Sequence, residues 1–114
     1  MNRKVVISKT AERKLEKLFE YLIEKWSVKV KKDFVEKFDS SIEIIRKQPE
    51  IFPESKKGKK LRKCVITKQT TLYYRYNSKR INIVTIFDTR QNPNKLDKEI
   101  KKNESPTPHN RNYG

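Results

Sequence analysis

The chain has 114 residues, a formal net charge of +15 and only 33% hydrophobic residues. Its length allows one domain with one modest core, and its basic excess favours a polyanion or an acidic protein as partner. The sequence shows neither an apolar run near the ~18 residues of a membrane span nor a signal peptide. The single cysteine, Cys64, excludes an internal disulfide framework and suits a reducing compartment, so we expect a soluble cytoplasmic protein.

The chain begins with a predicted strand and a predicted amphipathic helix. Residues 5–7 are a short apolar run, which we interpret as a strand at one edge of a sheet or at its far side from the later hairpins. From Ala11 to Trp26 apolar residues recur at spacings of three and four, which predicts one helical stripe. Ser8 or Thr10 can cap the start of this helix.

A second amphipathic helix follows after a short joint. Its apolar stripe runs from Val30 to Ile45, and Ser27 can cap its start. Pro49 disfavours helical geometry in the residue before it, so we predict the end of the helix near Gln48. Two helices with so short a joint should fold back on each other as a helical hairpin.

The segment between the helices and the sheet is a predicted exposed basic loop. Residues 49–60 contain two prolines and a lysine run that Gly58 interrupts with a turn. A lysine run is commonly only solvated. Here it leads into the polar face of the sheet, which favours contacts with a phosphate backbone. The residues predicted to bind nucleic acid are Lys57, Lys59, Lys60 and Lys63.

Residues 61–93 contain three runs that are rich in β-branched and aromatic residues and are separated by polar tetrads. They predict an antiparallel meander of two hairpins, in which Val65 lies opposite Leu72 and Tyr76 opposite Ile81. The apolar stripes of both helices must be buried against another apolar surface, and one face of this sheet can provide it. The predicted fold is therefore a two-layer α+β domain with the order β-α-α-β-β-β, a helical hairpin packed on a twisted antiparallel sheet.

The predicted register divides the side chains of this sheet between two faces, because residues two apart share a face. The face toward the helices is largely apolar and comprises Leu61, Val65, Leu72, Tyr74, Tyr76, Ile81, Ile83 and Phe87. Polar residues on the other face surround a small apolar middle: Arg62, Tyr73, Arg75, Asn82, Asp88 and Arg90 around Cys64, Ile66, Val84 and Ile86. A slip of one residue would exchange the two faces.

The composition changes near the C-terminus, where apolar periodicity ends. Residues 1–97 are the predicted domain, and residues 98–114 are predicted to be a mobile basic tail. One cysteine and one histidine, His109, cannot furnish a zinc site, and two glycines cannot form a phosphate-cradling loop. We therefore expect no metal and no cofactor.

The chemistry that remains relies on arginine, lysine and tyrosine. Cleavage of RNA by its 2′-hydroxyl needs a proton acceptor, a proton donor for the leaving oxygen, and positive charge for the transition state. The candidate catalytic residues are Arg62, Lys68, Tyr73, Arg75 and Arg90. Strand parity turns Lys63 toward the helices, whereas Lys68 in a turn is freer. The alternative is a solvated sheet face whose arginines pair with Asp88 or with the tail.

At these residues the sequence resembles a known family, the RelE/ParE superfamily of type II toxin–antitoxin toxins. The resemblance covers about residues 5–96 and implies a helical hairpin on a twisted antiparallel sheet. It is carried by Val6-Ile7-Ser8, Tyr21-Leu22-Ile23-Glu24-Lys25-Trp26, Pro49-Glu50-Ile51-Phe52-Pro53, Leu61-Arg62-Lys63, Leu72-Tyr73-Tyr74-Arg75, Ile81-Asn82-Ile83-Val84 and Phe87-Asp88-Thr89-Arg90-Gln91-Asn92-Pro93.

The resemblance implies two different modes of action. RelE-like members cleave mRNA in the ribosomal A site, whereas ParE-like members block DNA gyrase without hydrolysing nucleic acid. Arg62 and Arg90 match basic positions of the superfamily. Thr71 is nearest to where RelE-like enzymes place an arginine, and the C-terminal Tyr or His-Tyr pair of several nucleases has no clear counterpart.

Three hypotheses about function follow. The first is a growth-inhibiting toxin that acts on the ribosome and its mRNA or on DNA gyrase, and that a small, partly acidic antitoxin neutralises. The second is a nucleic-acid-binding module without enzymatic activity. The third is a degenerate toxin that retains only antitoxin binding.

Overall fold

Two helices and four strands form in the predicted order. The computed structural model describes residues 3–90, which form an α+β fold with both helices packed on one sheet. A single 3₁₀ turn, Pro49–Ile51, follows the second helix. The elements are β1 (Lys4–Ile7), α1 (Lys9–Lys25), α2 (Val28–Lys47), β2 (Arg62–Val65), β3 (Thr70–Tyr76) and β4 (Arg80–Asp88). The predicted boundary at residue 97 lies outside the described residues.

Serine side chains cap both helices, as predicted. Ser8 accepts a hydrogen bond from the backbone N–H of Ala11 at 3.0 Å, and Ser27 accepts one from Val30 at 3.1 Å. The Ser8 hydroxyl also donates to the carbonyl oxygen of Val84 at 2.7 Å. Ser8 therefore satisfies an otherwise unpaired N–H at the start of α1 and joins this helix to the sheet.

Replacing Ser8 by alanine is expected to lower the free energy of unfolding by about 2 kcal/mol, because it removes a cap and leaves the buried Val84 carbonyl short of a donor. Ser27→Ala removes only a cap and should cost about 1 kcal/mol. Urea unfolding of both variants measures the difference. Equal losses would show that the contact between Ser8 and the sheet contributes nothing.

The four strands form one sheet in the order β1-β4-β3-β2. Strand β1 lies at an edge, as predicted, but it pairs with β4 in parallel, and Val5 lies beside Ile81. The sheet is therefore mixed, and the expectation of an antiparallel sheet holds only for β2, β3 and β4. A three-residue apolar run carries no information about strand direction, which is why the sequence did not reveal this.

The register between β2 and β3 differs from the predicted one by one residue. Cys64, not Val65, lies opposite Leu72. A shift of one residue exchanges the two faces of a strand. Cys64 therefore joins the core beneath the helices, whereas Leu61 packs on the outer face and Val65 is 65% exposed.

A β-bulge in the middle of β4 changes the faces a second time. Tyr74 lies opposite Ile83 but Tyr73 lies opposite Thr85, so β4 carries one extra residue at this point. Before the bulge Ile83 faces the helices, as predicted. Beyond it Ile86 enters the main core and Phe87 packs in the outer cluster, which is the reverse of the prediction.

The main core lies between the helices and the sheet. It contains most of the predicted stripe residues, but Ile23 and Trp26 at the end of α1 are 43% and 66% exposed, although the periodicity placed them in that stripe. No helix among the described residues is long and apolar enough to cross a membrane. The buried helix residues of this core are Ala11, Leu15, Leu18, Leu22, Phe34, Phe38 and Ile45.

Candidate functional site

Arg62 begins β2 and is held by the segment that precedes this strand. Its Nη1 donates to the carbonyl oxygens of Phe52 at 2.5 Å and Glu50 at 3.2 Å. Its Nη2 lies 3.6 Å from the Glu54 carboxylate, and its guanidinium carbon lies 5.6 Å from the ring centre of Tyr76. Only 18% of its side chain is exposed. Arg62 thus fastens the loop after α2 to the sheet.

Arg90 follows β4 and forms a bidentate ion pair with Asp88. Its Nε lies 2.7 Å from Asp88 Oδ1 and its Nη2 lies 2.5 Å from Oδ2, while its backbone N–H also donates to Oδ1. Thr70 Oγ1 donates to Asp88 Oδ2 at 2.8 Å. The Arg90 guanidinium carbon lies 5.1 Å from the ring centre of Tyr21 on α1. These four residues, Tyr21, Thr70, Asp88 and Arg90, are called the Asp88 clamp below.

The Asp88 clamp is an ion pair with one buried partner, because the Asp88 side chain is 1% exposed and that of Arg90 is 26% exposed. Burial raises the pKa of the Asp88 carboxyl, but hydrogen bonds from Arg90 and Thr70 outweigh burial and bring the pKa below its usual value. The hydrogen bond to Asp88 raises the pKa of Arg90. The clamp therefore stays charged at neutral pH.

Arg75 and Tyr73 lie on the outer face of the sheet, away from the helices. Arg75 lies opposite Asn82, and its Nε donates to the carbonyl oxygen of Lys59 at 3.0 Å. Tyr73 is only 7% exposed and packs with Leu61 and Val84. A ring buried in this way offers no open face for stacking on a nucleic-acid base.

The predicted catalytic residues do not share a face. Arg62 lies opposite Tyr74, whereas Asp88, which holds Arg90, lies opposite Thr70. Tyr74 and Thr70 are four residues apart on β3, so the backbones at Arg62 and at Asp88 are about 13 Å apart along the strand. Both lie on the helix side of the sheet, whereas Arg75 lies on the outer side. The prediction that Arg62, Arg75 and Arg90 share one face is therefore wrong. The shifted register places Arg62 on the helix side of the sheet, and the bulge places Arg90 there as well.

The two candidate lysines lie apart from one another. Lys68 is exposed in the turn between β2 and β3, as predicted. Lys63 lies opposite Tyr73 and is exposed on the outer face, although the expected register turned it toward the helices. The correction follows from the same shift of one residue.

The basic loop before β2 is closed by its own backbone. The Ser55 N–H donates to the Leu61 carbonyl oxygen at 2.6 Å, and the Leu61 N–H donates to that of Gly58 at 3.3 Å. The Lys57 N–H donates to Ser55 Oγ at 3.1 Å. Lys60 adopts φ 54°, a left-handed conformation that is uncommon for residues other than glycine, asparagine and aspartate. Loop 55–61 therefore has a defined shape.

Loop 55–61 and β3 enclose a shallow depression of about 880 Å³. Its cationic lining joins lysines of the loop to an arginine of the sheet. The predicted nucleic-acid-binding residues Lys59 and Lys60 line it, whereas Lys57 and Lys63 do not belong to its lining. The lining residues are Ser55, Lys56, Gly58, Lys59, Lys60 and Arg75.

A family model described as the ParE toxin of the type II toxin–antitoxin system parDE matches residues 5–93. The chain belongs to the ParE toxin family. The match covers β1 to β4 and confirms the resemblance to the RelE/ParE superfamily. No curated protein matches the sequence. This ParE-family toxin is thus the toxin component of a type II module, and such a module implies an antitoxin partner.

The Asp88 clamp of this ParE-family toxin was not predicted from the sequence. The expected strand parity placed Asp88 on the outer face, where a pairing with the arginines would be a solvated surface contact. The spacing Asp88-Thr89-Arg90 at a strand end was the available signal, since a carboxylate can cap the backbone N–H two residues later. The contact with Tyr21 depends on how α1 crosses the sheet, which the sequence does not encode locally.

Proposed function

We propose that this ParE-family toxin inhibits growth by binding DNA gyrase, without cleaving RNA, and that a cognate antitoxin neutralises it. One observation supports a binding mode of action: Arg62, Arg75 and Arg90 lie apart and on two sides of the sheet. A ribonuclease needs its acid, its base and its cationic groups within reach of one phosphate. Arg62 and Arg90 start from backbone positions about 13 Å apart along β3, and contacts with the Phe52 carbonyl and the Asp88 carboxylate hold their guanidinium groups apart.

The contacts of Arg62 and Arg90 support the same proposal. Arg62 donates to two backbone carbonyls and Arg90 to a buried carboxylate, so both guanidinium groups hold the fold together. Binding an RNA phosphate would require them to exchange these contacts. The likeness of both residues to basic positions of the superfamily is then explained by structure and not by catalysis.

The proposed antitoxin carries a partly acidic, partly disordered segment. The net charge of +15 attracts such a segment at long range and raises its association rate. Salt screens this attraction, so the association rate should fall as ionic strength rises while the dissociation rate changes less.

Induced expression in bacteria tests the proposed mode of action. We expect growth arrest with a DNA-damage response and intact mRNA, because blocked gyrase leaves broken DNA. Co-expression of a small, partly acidic protein encoded in a neighbouring reading frame should restore growth if that protein is the antitoxin. Leu72→Asp, which places a charge in the core, is the inactive control. Mapping of mRNA 5′ ends that reveals A-site cuts without DNA breaks would reject the proposal in favour of ribosome-dependent cleavage.

A further inference from the structure

Charge in this toxin is divided unequally between the helices and the sheet. Residues 55–87, which form loop 55–61 and nearly all of β2, β3 and β4, contain ten basic residues and no acidic residue. Helices α1 and α2 together contain eleven basic and eight acidic residues. The positive field of the protein is therefore concentrated on the sheet and its loops.

Strand register collects part of this charge at one end of the outer face. Arg75 lies opposite Asn82, and Arg80 shares a face with Asn82 because it lies two residues before it. Lys4 on β1 lies beside Arg80. These three residues and the lysines lining the depression, Lys56, Lys59 and Lys60, are called the basic end of the sheet.

We propose that the basic end of the sheet binds the phosphate backbone of duplex DNA. This inference deepens the proposed function, on which it rests, because gyrase holds DNA and a toxin bound to it can contact that DNA. The sheet is four strands wide, about 14 Å across, so it can lie against several neighbouring phosphates of a duplex.

The lining of the depression favours phosphate over a peptide as the ligand. Among residues 3–90 its lining consists of lysine, arginine, serine and glycine, so its polar groups are cationic or donate hydrogen bonds. Interfaces with protein segments rely on buried apolar or aromatic anchors, whereas phosphates need only cationic and N–H donors. Arg75 donates through Nε to the Lys59 carbonyl oxygen, so the sheet and the loop are joined at the depression.

The positive φ of Lys60 provides a variant that removes charge without disturbing the loop. Glycine adopts φ 54° without steric cost, so Lys60→Gly should preserve the loop. The test variant combines it with Lys56→Gln and Lys59→Gln. The matched control, Lys17→Gln with Lys25→Gln and Lys32→Gln, removes three exposed charges from the helices.

Fluorescence anisotropy of the full chain with a labelled DNA duplex at 50 and 200 mM salt measures the effect. The test variant should bind at least tenfold more weakly than the parent, and the slope of log affinity against log salt should fall by roughly 3, whereas the control changes both by much less. A thermal unfolding midpoint equal to that of the parent protein will confirm that the test variant is folded.

Three results would overturn the inference: no binding of DNA by the parent, equal losses in both variants, or a test variant that loses affinity only for the antitoxin. The inference and the proposed function fail separately. Loss of DNA binding in the test variant without any gyrase inhibition by the parent would reject gyrase as target and keep the DNA site. Gyrase inhibition that the test variant retains, with DNA affinity unchanged, would reject only the DNA site.

Discussion

Arg90→Ala is expected to destabilise this ParE-family toxin by about 3 kcal/mol, because it leaves the buried Asp88 carboxylate without its cation. Thr70 remains as a donor but cannot neutralise the charge. The contact between Arg90 and the Tyr21 ring, which ties α1 to the end of β4, is lost as well. Urea unfolding followed by circular dichroism measures the loss.

Arg80→Ala is the matched control for the Asp88 clamp, since Arg80 is an exposed arginine at the other end of the same strand. A surface substitution of this kind should change stability by less than about 0.5 kcal/mol. If Arg90→Ala proves as mild as Arg80→Ala, Arg90 is dispensable for the fold and the catalytic interpretation of this residue regains support.

The Asp88 clamp also predicts how stability depends on pH. The pKa of Asp88 is lower in the folded protein than in the unfolded chain, so the unfolded state binds more protons between the two values and stability rises with pH there. The contribution of Asp88 is complete above about pH 4 to 5 and is lost as the pH falls through the folded value.

Acid unfolding of the parent and of Asp88→Asn tests this dependence. The variant should be less stable at neutral pH, and the difference between the two proteins should shrink as the solution is acidified below about pH 4. A difference that stays constant across this range would show that the ionisation of Asp88 does not stabilise the fold.

Arg62→Ala is expected to cost about 2 kcal/mol, because it removes two charge-assisted hydrogen bonds to the carbonyls of Glu50 and Phe52. Lysine cannot reproduce a planar group that donates to two carbonyls and lies over the Tyr76 ring, so Arg62→Lys should recover less than half of the loss. Lys63→Ala, the exposed neighbour on β2, is the control.

The measurement for Arg62 is urea unfolding together with proteolysis of the segment before β2. Cleavage between residues 50 and 54 should accelerate in Arg62→Ala more than global unfolding accounts for, since Arg62 fastens this segment to the sheet. Unchanged stability with abolished toxicity would instead show that Arg62 acts directly on the target.

The element order could be predicted from the sequence because each element carries a local signal. Periodic apolar spacing marks both helices, and Ser8, Ser27 and Pro49 mark their ends. These features depend on a few neighbouring residues, so the chain itself expresses them. The parallel pairing of β1 with β4 depends on the path of the whole chain and was missed.

The site could not be predicted to the same degree, since it depends on register. The polar tetrads suggested where the strands turn, but β2 pairs one residue away from the expected register and β4 contains a bulge opposite Tyr73 and Tyr74. Each irregularity turns later side chains to the other face. Asp88 thus became a buried partner of Arg90 instead of a surface residue.

Assays with purified components test most directly whether this toxin inhibits DNA gyrase and leaves mRNA intact. The toxin is added to DNA gyrase with relaxed plasmid and, separately, to ribosomes programmed with mRNA. We expect supercoiling to stop while the mRNA stays whole. Cleavage of mRNA in the A site, with supercoiling unaffected, would contradict it, most strongly if variants of Arg62 or Arg90 that remain folded lose that cleavage.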